Sequence, residues 1–189
     1  MMRMHTLLLT AAACSLLGGC GVSSPPEARW ITSGEAGADQ PNTWIAYRHN
    51  VGVAEIPREA VVRIAADTKY WLWVNGDLVV FEGGLKRGPT PDDTYYDRVD
   101  LAPYLHRGDS GRSGVIVASE SRGFELASDS TWLCRIHPAY GTAGDPQPNF
   151  RLAESNIRFD ARQEMAGWQT ADAAELDGFR PAVAVGGWG

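Results

Sequence analysis

Cysteine is nearly absent from this sequence. Only Cys14, Cys20 and Cys134 occur, too few for a disulfide framework or a thiolate metal cluster. Lysine is scarcer still, with Lys69 and Lys86 alone, and the chain of 189 residues carries a net charge of −6. An acidic balance without clustered Lys and Arg excludes nucleic acid as a partner. The longest apolar run, Leu7 to Leu17, is too short to span a bilayer as a finished anchor. No segment sustains a helical period of hydrophobicity over about 12 residues, and there is no internal repeat. His49, His106 and His137 lack metal-ligand spacing. Gly83-Gly84-Leu85-Lys86-Arg87-Gly88 has its Lys before the last Gly and no long helix after it, so it is not a phosphate loop. Ser113, Ser119 and Ser121 lack the context of a nucleophile elbow.

What is present is strand. Tyr70-Trp71-Leu72-Trp73-Val74 and Asp77-Leu78-Val79-Val80-Phe81 flank Asn75-Gly76, the pair that a two-residue hairpin turn demands because both central positions need φ > 0. This turn sets Val74 opposite Asp77, Trp73 opposite Leu78, Trp71 opposite Val80 and Tyr70 opposite Phe81. One face then carries Trp71, Trp73, Leu78 and Val80, the other Tyr70, Leu72, Val79 and Phe81. With both faces apolar, the hairpin is expected inside a sheet and not at its edge.

Further strands are expected at Thr43 to Arg48, Val61 to Ala66, Tyr95 to Val99, Val115 to Ala118 and Trp132 to Ile136. Asn156 to Arg162 alternates and reads as a strand or a short helix. Asp100 caps a helical turn with Pro103 near its start. Gly83 to Asp93 and Gly108 to Gly114 read as loops. Short strands separated by turns, with little helix, describe an all-β sandwich or jelly roll.

The N-terminus is read as an export signal, with Arg3 and His5, an apolar core and small residues before Cys20. Leu17-Gly18-Gly19-Cys20 resembles a bacterial lipobox, which implies cleavage before Cys20, its diacylation, and membrane attachment through lipid alone on the periplasmic or cell-surface side. Cys134 is then the one remaining thiol, a small core residue, and no intramolecular disulfide forms. The expected organisation is a signal over 1–19, a Gly-, Ser- and Pro-rich tether over 20–40, a β-sandwich over 41–165 and a linker over 166–189.

The sequence offers two kinds of candidate site. Trp71 and Trp73, with Tyr95, Tyr96, Arg87 and Asp97, offer flat apolar surface and polar partners to a sugar. The aliphatic cross-strand partners Leu78 and Val80 instead point Trp71 and Trp73 into the core. Asp92, Asp93 and Asp97 are calcium candidates, since calcium takes several flexible oxygens, but the segment lacks the EF-hand pattern. No other cofactor is called for. Asp92, Asp93, Asp97 and Asp100 crowd one loop and its adjoining strand, a poor arrangement for a glycosidase pair.

Ala66 to Gly76, Arg87-Gly88-Pro89, Tyr95 to Leu101 with Leu105 and Gly108, and Arg151 to Arg162 together resemble the N-terminal, galactose-binding-like β-sandwich domain of bacterial α-L-rhamnosidases. The resemblance spans most of Trp44 to Trp168. It implies a non-catalytic accessory domain of a glycoside hydrolase, partnered in relatives by an (α/α)₆ barrel that holds the catalytic carboxylates, and in contact with rhamnose-containing glycans. Nothing here resembles that barrel, so no catalytic residue is carried over, and a truncated or split gene product is implied. A free-standing carbohydrate-binding lipoprotein and a poorly folding remnant are the alternatives. The family's long strand after Gly108 has no clear counterpart: either Val115 to Ala118 is a shortened form of it or one strand is lost.

Overall fold

Asn75 and Gly76 both adopt left-handed backbone angles, φ 54° and 89°, and fold Tyr70–Val74 back onto Asp77–Gly83. The structure, a computed structural model, describes residues 27–67, 69–84, 95–106, 108–112, 116–121, 124–143, 157–170 and 177–187. In chain order its strands are β1 (Arg29–Thr32), β2 (Ile45–Val53), β3 (Val61–Ala65), β4 (Tyr70–Val74), β5 (Asp77–Gly83), β6 (Asp97–Asp100) and β7 (Gly108–Arg112). They continue with β8 (Ile116–Ser119), β9 (Leu133–Ile136), β10 (Tyr140–Thr142), β11 (Ile157–Phe159), β12 (Arg180–Pro181) and β13 (Val183–Gly187). Single 3-10 turns at Ala102–Tyr104 and Ala161–Gln163 are the helical elements among the described residues.

All pairings are antiparallel. A six-stranded sheet runs β12-β9-β2-β7-β4-β5, a three-stranded sheet β6-β3-β8, and β1-β13 and β10-β11 form two ribbons. The main core lies between the two larger sheets. Tyr47, Val51 and Val53 of β2 and Tyr70, Leu72 and Val74 of β4 meet Val62 and Ile64 of β3, with Leu101, Leu105 and Trp132 closing the ends. Alternation places these residues inward, because successive strand side chains point to opposite faces. This is the all-β sandwich that the strand pattern implied.

The hairpin departs from the expected register beyond its turn. Val74 faces Asp77 and Trp73 faces Leu78 as expected, but Leu72 faces Val80 and Tyr70 faces Gly83. β5 therefore carries extra residues, and Glu82 takes a left-handed φ of 56°. Such bulges bend and twist a strand, and here they turn Phe81 onto the Trp71 side. Among the described residues the hairpin is also not internal: β5 is the outermost strand of its sheet. Bulges are a common way of keeping an edge from pairing with another chain.

The segment after Gly108 holds two strands, one of them close to the short strand expected at Val115 to Ala118. Gly108–Arg112, expected as a loop, is β7 and pairs with β2 from Val53↔Gly108 to His49↔Arg112. Ile116–Ser119 is a separate strand on β3. Low strand propensity in Gly-Asp-Ser-Gly-Arg is overridden by the open ladder of a central strand. Within the segments expected as tether and linker, Arg29–Thr32 pairs with Val183–Gly187, and Arg180–Pro181 extends the large sheet. The expected helical turn is present over Ala102–Tyr104, but its N-cap is Leu101, which makes no side-chain cap; Asp100, one residue earlier, accepts the backbone N–H of Ala102 at 3.1 Å and of Ala60 at 2.8 Å. Asn156 lies outside the described residues; from 157 onward both alternatives are present, strand over Ile157–Phe159 and a 3-10 turn over Ala161–Gln163.

Candidate functional site

The outer face of the six-stranded sheet is aromatic. With Leu72 and Val74 turned into the core, Trp71 and Trp73 necessarily point out. Trp44, just before β2, joins them at 4.9 Å from Trp71, and Trp71 and Trp73 meet edge to face at 5.8 Å. The expectation that both indoles lie in the main core is thus corrected: both are half-buried on the opposite face.

A second layer covers part of this face. Tyr140 of β10 stacks on Trp44 at 4.7 Å and 23°. Trp168 meets Trp73 at 5.3 Å and 67°, Phe81 stacks on Trp71 at 5.2 Å, and Phe159 of β11 packs on Tyr140 at 5.0 Å. Edge-to-face and offset pairs of this kind contribute about 0.5–1.5 kcal/mol each beyond their burial. His137 sits behind the layer, buried, with its ring 4.9 Å from Tyr140.

Between this aromatic wall, the β1-β13 ribbon and the 38–43 loop lies a cleft of about 600 Å³. Five of the seven tryptophans line it: Trp30, Trp44, Trp71, Trp73 and Trp168. Its rim is polar, with Asp39, Gln40, Asn42, Asp67 and Lys69. The Lys69 ammonium lies 5.6 Å from the centre of the Trp44 ring and 3.2 Å from Glu82 Oε1, a cation–π contact with its charge balanced beside it. The indole N–H of Trp71 is buried and finds no acceptor among the described residues.

Of the candidate site residues singled out from sequence that the structure describes, Trp71 and Trp73 line this cleft and Tyr95, Tyr96 and Asp97 do not. Tyr95 and Tyr96 are exposed beside the other sheet, where the Arg63 guanidinium lies 5.5 Å from the Tyr96 ring centre. Asp97 accepts from the Tyr70 hydroxyl at 2.9 Å and from the Gly84 N–H at 2.8 Å, so its carboxylate ties two strands together. Cys20, Arg87, Asp92 and Asp93 lie outside the described residues, and among those described no three His, Cys, Asp or Glu side chains cluster to hold a metal. Sequence reasoning missed Trp44, Tyr140, Trp168 and His137. Trp44 carried a usable signal, an aromatic out of phase with the core positions Ile45 and Tyr47. Tyr140 and Trp168 carried none, because they come from segments too rich in turn residues to be phased.

No protein-family model matches the sequence, and no curated protein matches it. Solved structures do match the fold. The α-L-rhamnosidase of Dictyoglumus thermophilum superposes with a TM-score of 0.59 at 16% identity over 84% of this chain. That of Aspergillus terreus gives 0.60 at 17% identity over 84%. The Streptomyces avermitilis enzyme, solved in complex with L-rhamnose, gives 0.52 at 18% identity over 88%. The chain spans only 16% to 21% of the length of these enzymes. In fold, this chain resembles one β-sandwich portion of an α-L-rhamnosidase.

Proposed function

We propose that this chain is a non-catalytic module of a rhamnosidase-type glycoside hydrolase and that it holds carbohydrate in the tryptophan-lined cleft. The observation that carries the reading is the gathering of five tryptophans on one cleft with a polar rim. Sugar rings present apolar C–H faces that pack on indoles, and hydroxyls that bond to amides, carboxylates and ammonium groups. Asp39, Gln40, Asn42, Asp67 and Lys69 supply those partners. Hydrolysis requires two carboxylates set across a glycosidic bond, and in this reading that work belongs to the catalytic barrel of the family.

Calorimetric titration of the full chain with rhamnose- and galactose-containing oligosaccharides tests this. Saturable binding is expected, weakened at least about tenfold by Trp44→Ala, since one stacking surface contributes about 1.4 kcal/mol or more. No response to any such glycan, or binding that Trp44→Ala and Trp71→Ala leave unchanged, removes the cleft as the site.

A further inference from the structure

The Trp44 ring that a sugar would use is already stacked by Tyr140, and the contact is held from behind. His137 Nδ1 accepts the backbone N–H of Ala139 at 3.3 Å, which places the imidazole proton on Nε2. Nε2 faces Glu164 Oε1 at 3.4 Å. The same carboxylate oxygen accepts the Trp168 indole N–H at 3.2 Å. The imidazole also lies edge-on to Tyr140 at 4.9 Å and to Trp168 at 5.7 Å. One neutral histidine and one carboxylate thus brace both rings that cap the tryptophan wall.

We propose that His137 and Glu164 form a pH-sensitive clasp, which keeps Tyr140 on Trp44 at neutral pH and releases it in acid so that a sugar ring takes its place. The gain in binding rests on the carbohydrate reading above; the release of Tyr140 does not. A second proton must enter at Nδ1, where it meets the Ala139 N–H donor to donor. The turn that carries Tyr140, closed by Tyr140 N–H to His137 O at 3.3 Å, then has to open. Burial opposes the imidazolium most, Glu164 favours it from the turn after the second 3-10 element, and Arg135 on β9 opposes it. The net direction is below the usual 6.5. Tyr140 stays neutral throughout, because burial and then Glu164 push its phenol up to about 12.

Near-ultraviolet circular dichroism of the full chain without ligand, from about pH 8 to about pH 4.5, reads the ring stack across the histidine range. A transition with its midpoint below 6.5 is expected while the far-ultraviolet strand signal is unchanged. His137→Gln abolishes it. Glu164→Gln, which keeps the acceptor and removes the charge, moves the midpoint about one pH unit further into acid. A transition that persists in His137→Gln, or one that coincides with loss of the strand signal, overturns the clasp. An unmoved midpoint in Glu164→Gln overturns the role of the carboxylate. Oligosaccharide titration at both ends of the range separates the two readings. Binding at least about tenfold tighter in acid supports release onto Trp44, and equal affinity overturns it. No binding at either pH overturns the carbohydrate reading and leaves the optical transition to judge the clasp.

Discussion

The hydroxyl of Tyr70 donates to Asp97 Oδ2 at 2.9 Å, joining β4 of the large sheet to β6 of the small one. The same oxygen accepts the Gly84 N–H, and Tyr70 is buried. Burial, with Asp97 beside it, raises the phenol far above its usual range. Asp97→Ala leaves a buried hydroxyl and an N–H without a partner, at about 1–3 kcal/mol. Tyr70→Phe costs about 1 kcal/mol, since Asp97 keeps Gly84. In a domain of this size 1 kcal/mol lowers Tm by about 2–4 °C. Equal thermal shifts for the two variants contradict this assignment.

Gly83 lies against the face of the Tyr70 ring. A Cβ there would overlap the ring and come within 2.7 Å of its hydroxyl oxygen. Gly83→Ala is expected to cost about 1–3 kcal/mol by overpacking. In a Tyr70→Ala background the penalty should largely vanish, because the overlap is gone. A double-mutant cycle by urea denaturation measures this coupling, and additive losses refute it.

The β1-β13 ribbon belongs to the folded unit. Tyr47 donates its hydroxyl to Ile31 O at 3.0 Å, Ser128 Oγ donates to Arg29 O at 2.7 Å, and the Arg29 N–H reaches Ser128 O at 2.8 Å. Slow amide exchange is expected within Trp30–Thr32, and Tyr47→Phe should cost about 1 kcal/mol. Exchange as fast as in an unstructured peptide returns these residues to a tether.

Cys134 is 1% exposed and pairs across from Tyr47 in the large sheet. Burial pushes its thiol above the usual value, and the thiolate is the reactive form. Peptide mapping after brief alkylation should find Cys134 unmodified in the native protein and fully modified in denaturant. Rapid labelling under native conditions rules out this placement.

Local chemistry alone was enough for the strands that carry their own signals. Asn75-Gly76 can satisfy two positive-φ positions in a row, Val61 to Ala65 is a short run rich in β-branched residues, and Cys134 falls on an inward position. The all-β class and the hairpin follow from these near-neighbour preferences. What the tertiary structure decided is everything that depends on a distant partner. Gly108–Arg112 becomes a strand because β2 and β4 leave a ladder open between them. Arg29–Thr32 becomes one because Val183–Gly187 returns beside it. The bulges of β5 send Phe81 to the other face. The cleft exists only because Tyr140 and Trp168 are brought over Trp44 and Trp73 from segments with no periodicity of their own. Pairing energy between remote residues leaves no trace in the local pattern of either one.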